Sequence, residues 1–460
     1  MSRGRKLLFG SVGAGILLGV GVVWYLTPIA PIATGYAAKT LCSGTYVSGR
    51  SLEDVDGDLP PNPLVPLLRT SVDDSEGSVR TTLLGAWGST AYLSAYGCTL
   101  AHERPGFAAP GPGPGAGPDP GSGPDRATPW PAGDGPAMLP AEVDAGALDA
   151  AIATAFTEDD ADGRLRNTRA VVVVKGGELI AERYGDGFDA DTPLLGWSMA
   201  KSVANAMVGR IVGSGRLALT DDGLREDWAD DDRAGITLEH LLTMTSGLEF
   251  DEVYDPGTDA TRMLFTPGGT ADFAADKPLV AAPGTRWSYS SGTTNSLCAV
   301  AQDAIGAGPE MARELIFGPL GMTSVVMEAD ESGGLVCSSY LYATGRDWAR
   351  FGQWFLQEGV WEEQQLLPAG WVSYSTTAVQ LETENPYGAH WWLNVGPAGE
   401  RRMPSVPDDA YWASGNEGQQ VVIIPSEDLV VVRLGFSGAF SGVEWGLEPL
   451  LAGIIDATGS

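Results

Sequence analysis

Ser198 and Lys201 stand three residues apart in the stretch GWSMAKSVANAMVG, residues 196–209. The small and apolar residues around them recur at helical spacing, which predicts a buried helix. One turn separates the pair, so both side chains project from the same face. A Ser at a helix N-terminus gains from the positive end of the dipole as it becomes anionic. A buried Lys one turn on sheds its proton near neutral pH, because desolvation disfavours its charged form. It can then act as general base without any His. The chain has five Lys in 460 residues, at 6, 39, 175, 201 and 277, so Lys201 inside an apolar run is conspicuous.

Such a pair needs a proton shuttle and donors for an oxyanion. The stretch PGTRWSYSSGTTNSL (283–297) offers Tyr289 and, one residue beyond, Ser291. A phenol aimed at Ser198 could share the Lys proton and pass it to a leaving group. In ASGNEGQQVVIIP (413–425), Gly415 and Gly418 open a strand, where glycine permits close approach of backbone to a substrate. The three His, at 102, 240 and 390, lie in no nucleophile-elbow or metal-pair context. That weighs against a Ser-His-Asp triad and against zinc. His240 is expected to satisfy a local helix contact.

The elements that must hold these residues follow from pattern. RAVVVVKGGELIAERYG (169–185) is two β-rich runs joined by Gly176-Gly177, a hairpin signal. GQQVVIIPSEDLVVVRLGF (418–436) is a second hairpin, turning at 425–428. Helices are expected over 145–157, over 236–248 with Gly247 as the stop, and over 443–457. Strands near both ends around a helical middle predict an α+β fold, with an antiparallel sheet built from the two ends of the chain.

A net charge of −31 excludes nucleic acid as a partner, since phosphates need Lys and Arg. At the N-terminus, Arg3, Arg5 and Lys6 precede an apolar run over 7–26 that is long enough to span a bilayer. Residues 1–35 are therefore expected to be a membrane anchor, with cleavage near Ala37 as the alternative. Basic residues on the short side predict an inner-membrane protein whose catalytic part faces the periplasm. Cys42 and Cys98 then pair most simply with each other, as do Cys298 and Cys337, with buried free thiols as the alternative for the second pair. Residues 36–104 carry no catalytic signature. Residues 105–136 are too rich in Pro and Gly to pack, and form a linker or a strap across the surface. The remaining 137–460 form the domain that carries the chemistry.

SMAK (198–201), YSS (289–291) and GNEGQ (415–419), in this order, resemble the motifs of serine β-lactamases and penicillin-binding-protein-like hydrolases. The class C-like branch, with its esterases and 6-aminohexanoate-dimer hydrolases, is the most similar. HLLTMTSGLEF (240–250) and RDWARFG (346–352) resemble the same branch. The resemblance covers roughly 145–458. It implies an antiparallel sheet flanked by helices with a mostly helical lobe, and no metal or cofactor. It implies Ser198 as the acylated nucleophile, Lys201 as its base and Tyr289 as the proton-transfer tyrosine. Ser291 would bind Lys or substrate, and the backbone N–H groups of Ser198 and Gln419 would form the oxyanion hole. Gly415, Gly418 and Tyr254 would lie on the substrate side. Asn416 departs from the family, which usually carries Lys or His there. The substrate implied is a small ester or amide.

Overall fold

The computed structural model describes residues 24, 26–60, 62–106, 125–158, 165–383, 385–437 and 446–459. Helix α1 (Ala30–Tyr46) packs on a four-stranded antiparallel sheet of consecutive strands, β1 (Leu68–Asp73), β2 (Ser78–Leu83), β3 (Trp87–Ser94) and β4 (Gly97–Leu100). Its small residues allow close contact. A Cβ on Gly35 would lie 1.8 Å from the Phe265 carbonyl oxygen, so α1 sits directly against the catalytic region. Cys42 on α1 is disulfide-bonded to Cys98 on β4, and Cys298 to Cys337.

This placement corrects the membrane anchor expected over 1–35. Ala30, Ile32, Thr34 and Gly35 belong to α1 and are buried in protein contacts. Among the described residues no helix is long and apolar enough to cross a membrane, and residues 7–23 of the apolar run lie outside them. A single-pass inner-membrane protein is therefore not supported. Hydropathy alone could not distinguish apolar residues bound for lipid from those bound for a protein core.

After α2 (Ala145–Ala155) come β5 (Thr168–Lys175) and β6 (Glu178–Tyr184), joined through Gly176 and Gly177 at φ +61° and +78°. Primed turns require such positive φ, so the Gly-Gly pair fixes the hairpin. Helices α3 (Met199–Gly213), α4 (Ser291–Ile305) and α5 (Gly345–Leu356) follow. The sheet is completed by β7 (Trp392–Leu393), β8 (Tyr411–Gly415), β9 (Gln419–Ile424) and β10 (Leu429–Gly435), and the chain ends in α6 (Leu447–Thr458). Strand order is β7-β8-β9-β10-β5-β6, antiparallel throughout. Alternation divides each strand between two cores. Val172, Val174, Val430 and Val432 pack towards α3 and α5, while Val171, Val173, Val431 and Val422 pack towards α2 and α6. The α+β architecture is the one the sequence pattern predicts.

Two segments differ from expectation. The helix expected over 236–248 spans only Leu238–Leu242. Met244 takes φ +60° and its carbonyl accepts the Ser288 N–H, which turns the chain towards Tyr289. Residues 107–124 of the Pro/Gly-rich stretch lie outside the described residues. From 125 the chain is held as a strap on α5, with Trp130 buried and Arg350 donating to the carbonyls of Pro131 (2.9 Å) and Gly133 (2.6 Å).

Candidate active site

Two helix N-termini converge here. Ser198 occupies the N-cap position of α3 and is partly exposed, and Lys201 follows one turn later with 1% exposure. Lys201 Nζ lies 2.9 Å from Ser198 Oγ, 2.9 Å from Ser291 Oγ and 3.1 Å from the Ser338 carbonyl oxygen. Burial pulls the Lys201 ammonium down to about 8, against the opposing charge of Glu252. At pH 7 about one in ten such lysines is unprotonated and can accept the Ser198 proton.

The second N-terminus is that of α4. Ser290 caps it, accepting the Thr293 N–H at 3.0 Å, and so sets Tyr289 and Ser291 on either side of the cap. The Tyr289 phenol feels Ser198, and Lys201 Nζ stands 4.8 Å from the centre of its ring. Burial and the Glu252 charge push the Tyr289 phenol well up, so it stays protonated. Sequence reasoning missed Glu252. Its Oε1 accepts Ser291 Oγ–H and its Oε2 the Ser291 N–H, both at 2.6 Å. Ser291 thus links a buried lysine to a carboxylate that burial raises and Lys201 lowers. The available signal was an acid two residues before Tyr254. The Tyr254 ring meets Trp197 edge-on at 6.4 Å.

The β8–β9 hairpin forms the third side. A Cβ on Gly415 would fall 2.1 Å from the Gly196 carbonyl oxygen, so that glycine lets β8 approach the turn into α3. Gly418, at φ +86°, has no room for a Cβ because Arg433 Nη1 would lie 1.9 Å from it. Close approach is thus required by this protein's own backbone and by Arg433. Asn416 and Glu417 line the cavity beside the site with Trp197 and Tyr254, while Gln419 is 1% exposed and its side chain reaches Gly435. Trp197 takes φ +48°, rare for a bulky residue, and its Nε1–H donates to Glu417 Oε2 at 2.9 Å. That bond ties the residue before Ser198 to the hairpin.

The histidines stand apart from this chemistry. His240 closes a capping box with Thr237, as expected. His390 is buried between Thr294 Oγ1 and the Leu242 carbonyl oxygen, and burial pulls its imidazole down to about 3. His102 contacts Glu331 at the surface. No group of three or more His, Cys, Asp or Glu suited to a metal occurs among the described residues. Of the arginines near the third motif, Arg401 pairs with Asp408 and Arg402 lies 5.3 Å over both Trp392 and Trp412.

The beta-lactamase family profile matches residues 152–435, more than half of the chain. This chain belongs to that family of hydrolases. It is 25% identical over 303 residues to a 6-aminohexanoate-dimer hydrolase of Paenarthrobacter ureafaciens, covering 60% of this chain and 74% of that protein. It is 31% identical over 203 residues to esterase EstB of Burkholderia gladioli, covering 38% of this chain and 52% of that protein. A class C beta-lactamase superposes with a TM-score of 0.53 at 12% identity, covering 70% of this chain and 99% of that one. That likeness concerns the fold. The family match begins at residue 152, beyond α1 and the four-stranded sheet.

Proposed function

We propose that this protein hydrolyses small esters or amides through an acyl-enzyme on Ser198. The observation that carries the reading is the 2.9 Å contact from Ser198 Oγ to a buried Lys201 whose proton burial has loosened. Neutral Lys201 takes the Ser198 proton as Oγ attacks the carbonyl carbon. The tetrahedral oxyanion is stabilised by the Ser198 N–H and a backbone N–H of the hairpin, for which Gln419 is the family-based candidate and Asn416 the residue at the cavity. Tyr289 relays the proton from Lys201 to the leaving group as the tetrahedral species collapses. Water then attacks the acyl-enzyme with the roles reversed, and Ser198 is regenerated. Ser291 and Glu252 hold Lys201 in place and act as positioning residues.

Steady turnover of p-nitrophenyl butyrate tests this reading. A single stoichiometric burst would instead indicate a penicillin-recognising protein of the same fold that acylates without turnover.

The reading fixes a pH dependence. Lys201 must be unprotonated to act, so kcat/KM should rise with pH and level off above about 8. The Glu252 charge holds the proton on Lys201, so Glu252→Gln should move this limb to lower pH. A limb that stays put would remove Glu252 from the relay.

Asn416 sets a preference among substrates. A Lys at that position would hold a substrate carboxylate by a charge-assisted contact, and an amide cannot supply the charge. The net charge of −31 further opposes anions at long range. Uncharged short-chain esters are expected to exceed a chromogenic cephalosporin in kcat/KM, and Asn416→Lys should raise the relative use of the cephalosporin. If the wild type prefers the cephalosporin and Asn416→Lys leaves the ratio unchanged, this role of Asn416 is wrong.

A further inference from the structure

A cavity of about 740 Å3 adjoins the candidate active site, within the range that accommodates drug-sized ligands. Its lining stops short of Ser198, Lys201 and Tyr289, but it includes Trp197, the residue before Ser198, and Asn416, the residue after Gly415, which packs on the Gly196 carbonyl. It also includes Tyr254, whose ring meets Trp197 edge-on. The cavity thus abuts the turn that carries Ser198.

The far wall comes from chain that the family match does not include. Ile32, Ala33 and Tyr36 of α1 face it, as do Leu59, Leu64 and Val65 of the segment leading to β1. The near wall adds Phe265 and Phe436. The roof is held firmly. α1 touches the Phe265 carbonyl through Gly35, Cys42 is bonded to Cys98, and buried Lys39 is paired with Glu328.

The charged residues of the lining are all acidic: Asp58, Asp255 and Glu417. Asp58 is paired with Arg50 and Arg169. Glu417 accepts the Trp197 indole N–H, and burial raises its carboxyl to about 7, so on the acidic side of neutrality Glu417 itself is uncharged. Among the described residues no cation lines the cavity to meet an anionic group. An apolar wall without cations suits an uncharged hydrocarbon.

We propose that this cavity is a subsite for an uncharged, medium-length apolar arm carried on one side of the scissile ester or amide. The proposal rests on the Ser198 hydrolase reading and adds the substrate class. Burial of each further methylene contributes to binding in proportion to the area removed from water. The rate with a series of arms should therefore climb with length until the cavity is filled.

The test uses the full chain and two readouts. The first is kcat/KM for p-nitrophenyl butyrate, hexanoate, octanoate and decanoate, with a parallel series of butyrate esters of lengthening alcohols. The wild type should gain about threefold per added methylene in one of the two series. Ala33→Trp on α1, and separately Val65→Trp on the segment leading to β1, should cut the decanoate-to-butyrate ratio (or its alcohol counterpart) at least tenfold. The second readout is independent of catalysis. Ser198→Ala should bind the neutral fluorescent probe N-phenyl-1-naphthylamine saturably and release it to decanol far more readily than to decanoate. Adding either Trp substitution should remove that binding. Flat rates in both series, or probe binding untouched by both Trp variants in folded protein, would overturn the subsite. Probe binding lost on Trp substitution in a protein without Ser198-dependent hydrolysis would instead overturn the hydrolase reading and leave the cavity's ligand class standing.

Discussion

Ser198→Ala is expected to abolish both turnover of p-nitrophenyl butyrate and covalent labelling by a fluorophosphonate probe. The probe phosphonylates an activated serine hydroxyl, and Ser198 Oγ is the hydroxyl in contact with Lys201 Nζ at 2.9 Å. Lys201→Ala should lower kcat by several orders of magnitude, because it removes the amine in contact with Ser198 Oγ. Nucleophile and base act as one unit, so the double variant should be little worse than either single one. A water molecule or a hydroxyl activated elsewhere would give a different pattern. Labelling that survives Ser198→Ala, or maps by mass spectrometry to another residue, would sink the mechanism. Ser291 is the informative comparison, because it too lies 2.9 Å from Lys201. Its hydroxyl is 0% exposed with its residue and donates to Glu252, so it should not take the probe.

The parts of this site that were legible in the sequence are those set by local spacing. Ser198 and Lys201 face one another because three residues make about one helical turn. Tyr289 and Ser291 flank a capping serine for an equally local reason. The two hairpins were legible because Gly176-Gly177 and the 425–428 turn interrupt runs of β-branched residues. What escaped notice depends on partners distant in sequence. Glu252 meets Ser291 across 39 residues, and nothing in its own neighbourhood marks it as facing a lysine. Glycines 415 and 418 were legible as necessary, but the groups that exclude a side chain there, Gly196 and Arg433, are set by the tertiary fold. The same holds for α1. Its alanines and glycines pack against Phe265 and the four-stranded sheet, partners that lie far away in sequence.

Removing the buried partner of Lys39 should destabilise the whole chain, and this follows from α1 being part of the fold. Lys39 and Glu328 form an ion pair with side chains 5% and 0% exposed. Glu328 also accepts from Ser43 Oγ at 2.8 Å and from the Cys98 N–H at 2.7 Å, and Lys39 Nζ donates to Ser43 Oγ and lies 4.1 Å over the Tyr340 ring. One carboxylate thus joins α1, β4 and the segment that precedes Tyr340. Attraction within such a pair does little more than offset the desolvation of two charges, whereas a lone buried charge has nothing to offset it. Lys39→Met and Glu328→Gln should therefore each cost about 3–5 kcal/mol in denaturant unfolding of the full chain. The Lys39→Met/Glu328→Gln double variant should cost clearly less than the sum, because neither charge is then left unpaired. If α1 were an appendage outside the cooperative unit, both single variants would leave the main transition unmoved. An unmoved transition would show that the contacts of α1 with the hydrolase body contribute nothing to its stability, and the cavity roof would lose its physical support.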